Sequence, residues 1–484
     1  MRSNIKRAVA AVLAIVMAAA MPGIAWAEDE MTFEETLQAS YDVVPETNNI
    51  GGWPQGPLVY GNSAIVMDMN SGAILYEKKA YDRHYPASIT KLLTALVALE
   101  NSELDDEVYF SEDSVSFLEY GDASIGMTPG EILSMNDALY GMLLASANEV
   151  SYAIAESVGK LMGGGYDTFI QEMNTRSEEL GCTGSHWMNA NGLHNEQHYT
   201  TAHDMALIAS AVYQFEEFRT VVQTLNYTIG ATNLVGETRT FQQNHKMLWE
   251  GGYYYYEYCT GGKTGYTDQS RTTLVTTADN GELQLAAVLL QDDGNVYTDT
   301  RAMFDYAFAN FSKVLLKDQA KAEGVSSYAD ENAYVVLPSG IDFSALENEI
   351  TITDEKDAAG KVTYYYKGQN VGSADVTLTA EYVKEQTGYD SALHISKNEQ
   401  ESVPKEASWL SLIVKVLIGV GAAIVLAFII LYAVIRYKLA KRRKQRLARA
   451  RRRRRNRARM RPEPPSRRSS RHYAQRRRRN EWES

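Results

Sequence analysis

The sequence predicts an α+β (α/β) domain whose antiparallel sheet is drawn from both ends of the domain and flanked by helices. A small all-β domain and one C-terminal transmembrane helix follow it. Three observations carry this reading. A strand–turn–strand pattern at 64–77 precedes a long helical middle, and strands return only near 260–290. From about Leu316, short β-rich runs separated by turn residues take over. Val416 to Ile435 is twenty residues without a charge, long enough as a helix to cross a bilayer.

The two ends set the expected compartment. Arg2, Lys6 and Arg7 precede the apolar run Ala8 to Ala20, and Ala25-Trp26-Ala27 offers a small-x-small cleavage site, so 1–27 reads as a signal peptide. Trp409 stands before the apolar span and Tyr432 and Tyr437 at its far end, as interfacial anchors. Residues 436–484 hold 23 Lys and Arg against three Glu, a net of +20, while the whole chain carries −13. The positive-inside rule places that tail in the cytoplasm and the acidic body outside. The expectation is a single-pass type I protein of the cell membrane, its basic tail held to membrane lipid rather than to nucleic acid. Only Cys182 and Cys259 are present, which excludes a disulfide scaffold and leaves open whether they pair. His194, His198 and His203 are the closest histidines, but no His-Glu-x-x-His occurs, so neither a catalytic metal nor another cofactor is expected.

Between the ends, 28–56 is acidic and polar and reads as a lead-in segment. Ala64–Asp68 and Ala73–Glu77 form a hairpin about Asn70-Ser71-Gly72. The run behind Pro86 is apolar and built from good helix formers, with the proline suited to a first helical turn. Helices are expected over 132–144, 149–161, 166–180 and from Thr201 to Val212. Strands follow over 253–263, 272–278 and 283–290, the last two as a hairpin about Asp279-Asn280-Gly281, and a helix over 298–311 closes the domain at about 315. The β-rich domain takes 316–390, with strands over 333–337, 349–353, 362–366 and 374–382; a polar linker takes 391–408 and the membrane helix 409–435.

The chemistry concentrates in three short motifs. Ser88-Ile89-Thr90-Lys91 puts a hydroxyl and an amine three residues apart, neighbours on one helix face at its positive end. Taken alone this is weak, because Ser3/Lys6, Ser157/Lys160 and Ser402/Lys405 share the spacing. Ser146-Ala147-Asn148 lies at a helix end, and Lys263-Thr264-Gly265, which occurs once, lies on a strand from the far end of the domain. Ser-x-x-Lys, Ser-x-Asn and Lys-Thr-Gly in that order make the set of penicillin-interacting serine enzymes, with Ala147 where the commoner second motif has Asp.

From about Leu58 to Ser312 the chain resembles the serine D-alanyl-D-alanine carboxypeptidases, the low-molecular-mass penicillin-binding proteins. The likeness extends through Ser63–Glu100, Gly126–Glu156, Asn189–Ala209 and Gly261–Ala278. It implies a penicillin-binding/β-lactamase-like transpeptidase domain at 57–315, acting on peptidoglycan stem peptides and acylated by β-lactam antibiotics. By motif position, Ser88 would be the nucleophile and Lys91 its base, needing a pKa lowered toward ~7–8. Ser146 would relay a proton to the leaving D-Ala, Asn148 would orient Lys91 and the substrate amide, and Lys263 and Thr264 would hold the terminal carboxylate. Gly265 would allow close approach, and the backbone N–H groups of Ser88 and Tyr266 would form the oxyanion hole. The resemblance suggests no role for His198 or Asp204. A β-lactamase or D,D-endopeptidase of the same superfamily, and a non-catalytic wall-binding protein, are the alternatives.

Overall fold

The computed structural model describes residues 32–389. The expected signal peptide, linker, membrane helix and basic tail lie outside those residues. Helix α1 (Phe33–Tyr41) opens the described chain, capped reciprocally by Thr32 and Glu35. The expected lead-in is therefore structured, and its end joins the core: Trp53 is 4% exposed and its indole N–H donates to Leu75 O.

Strands β1 (Ser63–Asp68) and β2 (Ile74–Lys78) form the expected hairpin. A short 3₁₀ turn, Ala87–Thr90, leads into α2 (Lys91–Asn101). The helical middle follows as β3 (Glu107–Tyr109), α3 (Asp113–Ser116), β4 (Ile132–Ser134), α4 (Met135–Leu143), α5 (Asn148–Leu161), α6 (Tyr166–Glu179), α7 (Ala202–Val212) and α8 (Glu216–Gln223). Sequence patterning placed 132–134 in a helix, but these residues pair with β3. The Ser134 hydroxyl accepts the Asp137 N–H, a cap that starts the helix at Met135. Helix α8 and the small hairpin of β5 (Asn226–Ile229) with β6 (Arg239–Gln242) were not foreseen.

The chain then returns to the sheet as β7 (Cys259–Thr267), β8 (Arg271–Asp279) and β9 (Gln284–Asp292), followed by α9 (Val296–Asn310). Residues 253–258, expected as strand, form turns instead. Their tyrosines pack sideways on α9, with Tyr256 5.8 Å from Phe304 and Tyr258 5.6 Å from Phe308 by ring centroid. The sheet order is β2-β1-β9-β8-β7, antiparallel throughout, so β1 from the start of the domain lies beside strands from its end. Strand β7 is left at the edge.

The β-rich part comprises β10 (Phe311–Leu315), β11 (Val325–Tyr328), β12 (Tyr334–Pro338), β13 (Glu347–Asp354), β14 (Ala359–Tyr366) and β15 (Gln369–Leu378), closed by α10 (Ala380–Thr387). Strand β10, placed by sequence in the first domain, pairs with β12 and so belongs to this part. The strand expected to reach Tyr382 stops at Leu378, because Thr379 caps α10.

Period-two alternation along β1 divides its residues between two cores. Ile65 and Met67 face a core shared with Leu92, Leu93 and Leu96 of α2; each such buried leucine contributes roughly 1.5–3 kcal/mol relative to exposure. Ala64 and Val66 face a second core that runs through Phe304 into Val335 and Val336 of the β-rich part. Polar contacts reinforce that continuity: the Tyr334 hydroxyl donates to buried Asp68 at 3.0 Å, and the Gln369 amide to Ile74 O at 3.1 Å.

Candidate active site

Ser88 sits on a tight turn rather than inside an α-helix. Pro86 is in the right-handed region, Ala87 is at φ +51°, and the first α-helical residue is Lys91. A left-handed alanine costs on the order of 1 kcal/mol, so its surroundings must hold it. The Thr90 hydroxyl donates to Ala87 O at 2.8 Å and is itself 2.9 Å from His198 Nε2. His198 Nδ1 accepts the Met188 N–H, so Nε2 carries the proton and donates to Thr90. Burial pushes His198 down to about 3, which keeps the ring neutral and this tautomer fixed. The histidine for which the sequence suggested no role thus braces the turn beneath Ser88. Gly192 passes under the same turn at φ +86°, where a Cβ would lie 1.9 Å from Ala87 O.

Lys91 is fully buried. Its Nζ lies 2.9 Å from Ser88 Oγ, 2.8 Å from Asn148 Oδ1 and 2.6 Å from the Asn191 carbonyl. A neutral amine has two N–H groups, which Asn148 and Asn191 accept, and the lone pair then faces the Ser88 hydroxyl. Burial above all, then the Lys263 charge, holds Lys91 well below the usual lysine range, against the opposing pull of Glu149 and Asp122. The role of the Asn191 carbonyl was not legible in the sequence, because a backbone acceptor leaves no residue-type signature.

A second hydroxyl–amine pair stands opposite. Lys263 is buried and its Nζ donates to Ser146 Oγ at 2.9 Å and to Thr264 O at 2.8 Å. Burial brings it down to about 7. Ser146 reaches it from a backbone at φ +63°, in the connection just before α5. Gly265 brings β7 close against the Ser88 turn: a Cβ there would lie 2.8 Å from Ser88 N, 3.0 Å from Pro86 O and 2.4 Å from Thr273 Oγ1. The Thr273 hydroxyl donates to Pro86 O at 2.8 Å, tying β8 to the nucleophile turn.

These elements enclose a cleft of about 870 Å³, lined by Ser88, Ser146, Asn148, Thr264, Gly265 and Tyr266 among others. Ser88, Ser146, Asn148, Thr264, Gly265 and Tyr266 line this cleft, and Lys91 and Lys263 each hydrogen-bond a residue that lines it. The three histidines do not converge. His194 lines the cleft, His198 is buried behind the turn, and His203 stacks on Tyr81. Cys182 and Cys259 are both free, with burial pushing each thiol up to about 12.

The paired titrations make the pH profile a test. The roles expected of the two lysines have Lys91 acting neutral and Lys263 acting charged, and on those roles kcat/KM for an anionic peptide should rise with pH as Lys91 deprotonates. It should fall again near pH 7 as Lys263, whose pKa is lowered, loses its charge. In Lys263→Arg, whose guanidinium does not titrate, the falling limb should be absent over pH 6–9. A limb that stays in place would mean another group sets it.

A serine hydroxyl against a buried lysine, a second Ser–Lys pair across a cleft and a free sheet edge beside both define the class of active-site-serine acyl-transfer enzymes. Within that class, the chain belongs to the D-alanyl-D-alanine carboxypeptidase family (Peptidase_S11), whose model matches residues 53–294. It is 26% identical to the D-alanyl-D-alanine carboxypeptidase DacF of Bacillus subtilis over 342 residues, covering 67% of this chain and 83% of that protein. It is 30% identical to DacB2 of Mycobacterium tuberculosis over 263 residues, covering 53% of this chain and 84% of that one. The solved DD-transpeptidase of Streptomyces K15 aligns with 53% of this chain and all of that one, at 26% identity and a TM-score of 0.48.

Proposed function

We propose that the protein is a serine-type D-alanyl-D-alanine carboxypeptidase that trims the terminal D-Ala from peptidoglycan stem pentapeptides and is covalently acylated by penicillin. The observation that carries this is the 2.9 Å contact between a fully buried, depressed lysine and the hydroxyl of Ser88. Ser88 Oγ attacks the carbonyl of the penultimate D-Ala as its proton passes to Lys91 Nζ. The carbonyl oxygen becomes an oxyanion held by the backbone N–H groups of Ser88 and Tyr266. The C–N bond breaks as Ser146 gives its proton to the departing D-Ala nitrogen and recovers one from protonated Lys91, which leaves Lys91 neutral and an ester on Ser88. Water then attacks the ester as Lys91 takes its proton, and that proton passes to Ser88 Oγ as the C–O bond breaks, restoring the serine hydroxyl and the neutral lysine. Asn148 positions Lys91, while Lys263 and Thr264 hold the terminal carboxylate, which restricts cleavage to the chain end.

The same reading places the catalytic domain outside the cell, anchored by residues 409–435 with the basic tail on the inner leaflet. Its support is the charge-free twenty-residue run, the Arg-rich flank and the N-terminal export pattern. The full-length protein in detergent should release D-Ala stoichiometrically from a synthetic stem pentapeptide and none from the corresponding tetrapeptide. Release of a dipeptide, or rapid turnover of penicillin without D-Ala release, would contradict the assignment.

A further inference from the structure

Beyond the catalytic cleft lies a second cavity of about 400 Å³, a volume suited to a small ligand group. Gln269, in the turn between β7 and β8, lines both, so the two cavities adjoin. The second is lined by Arg83, Tyr85, Glu196, Tyr199 and Gln291 together with Gln269. Two of these carry opposite full charges. The Arg83 guanidinium rests 4.6 Å over the Tyr199 ring, and among the described residues it has no hydrogen bond or ion pair. Glu196, on the turn held by the His198 N–H to Asn195 O bond, likewise has no partner among them. His84 in the same wall is bonded to Ser63 Oγ at 2.7 Å, and its burial lowers its pKa, so it adds no charge at neutral pH. Gln291 holds a left-handed backbone, φ +52°, and its side-chain oxygen accepts from Asn62. Strain of that kind in a non-glycine residue is retained where surroundings fix it, often beside ligand sites.

The position of this cavity along the peptide path gives it a role, which rests on the carboxypeptidase reading above. With the terminal carboxylate at Lys263 and Thr264, a stem peptide lying on the free edge of β7 runs antiparallel to it, toward Thr267 and the Asp268–Ser270 turn. At ~3.4 Å per residue, the residue preceding the acylated D-Ala falls opposite the end of β7. A long side chain at that third position would enter the cavity past Gln269. An arginine fork and a carboxylate together match a group carrying both a carboxylate and an ammonium on one carbon. A simple terminal amine would engage Glu196 alone and leave Arg83 without a counterpart.

We infer that the Arg83–Glu196 cavity is a subsite for the third stem residue, selecting a diamino acid whose distal end is a zwitterion over one ending in an amine. Arg83 takes the distal carboxylate, Glu196 the distal ammonium, and Tyr199 keeps the guanidinium in place.

The test compares D-Ala release by the full-length protein from two pentapeptides that differ only at the third residue, meso-diaminopimelate in one and L-lysine in the other. Arg83 and Glu196 are both exposed, so the wild type should favour the diaminopimelate peptide by about fivefold in kcat/KM, the upper scale of an exposed charged contact. In Arg83→Gln that ratio should fall toward one. In Glu196→Gln both peptides should lose kcat/KM, because each loses its ammonium partner. Equal use of both peptides by the wild type, with the ratio unmoved in Arg83→Gln, would overturn the subsite while leaving the carboxypeptidase assignment intact. No D-Ala release from either peptide would overturn that assignment and the subsite with it.

Discussion

Ser88→Ala should abolish covalent labelling by a fluorescent penicillin and lower D-Ala release by on the order of 10⁴-fold or more. The loss is that large because the acyl-enzyme route itself disappears. Neither Ser146 nor Thr90 is placed to replace it: Ser146 faces Lys263 instead, and Thr90 is committed to Ala87 O and His198. The fold should remain, since Lys91 keeps Asn148 and Asn191 as acceptors and the removed oxygen lines an open cleft. A melting temperature within a few degrees of wild type, beside an unlabelled protein, is the expected pair of results. Labelling that persists in Ser88→Ala would place the nucleophile elsewhere.

The second large effect belongs to Lys91→Arg, which keeps a positive charge and a long side chain but removes the base. A guanidinium stays protonated throughout the accessible pH range, so it cannot accept the Ser88 proton. Loss of general-base catalysis typically costs 10²–10⁴-fold, and the acylation rate should fall by about 10³-fold. The pocket imposes a further cost. It is fully buried, holds the depressed Lys263 nearby, and among the described residues offers Lys91 a hydroxyl and two carbonyl oxygens as acceptors. A permanently charged group there lacks a compensating anion in direct contact, so the variant should also melt below wild type. Near-normal acylation by Lys91→Arg would show that Lys91 is not the base.

Much of the site was legible in the sequence because its chemistry depends on side-chain identity at fixed spacing. Ser88 and Lys91 could be paired from a three-residue interval, and Ser146, Asn148 and Lys263 from motif order. The required depression of Lys91 followed from placing a base amine in a buried run beside a second lysine. The supporting parts were less legible. The left-handed Ala87, the Asn191 carbonyl and the His198–Thr90–Ala87 chain depend on backbone conformation and on contacts between residues about a hundred positions apart. Fold errors have similar causes. The tyrosine run at 253–258 has strong strand propensity, yet packing on α9 takes it into turns. Strand β10 starts at Phe311, where the expected helix ends, and only its partner β12 reveals it as a strand of the β-rich part. Arg83 and Glu196 share no motif and are 113 residues apart, so only the cavity relates them.

The central claim is that one serine carries the acyl group. Mass spectrometry of the intact protein after brief exposure to penicillin, followed by peptide mapping, measures that directly. The account predicts one penicilloyl adduct per chain, on the peptide containing Ser88, persisting while free penicillin is removed. An adduct on any other residue, or none on a protein that still releases D-Ala, would contradict it.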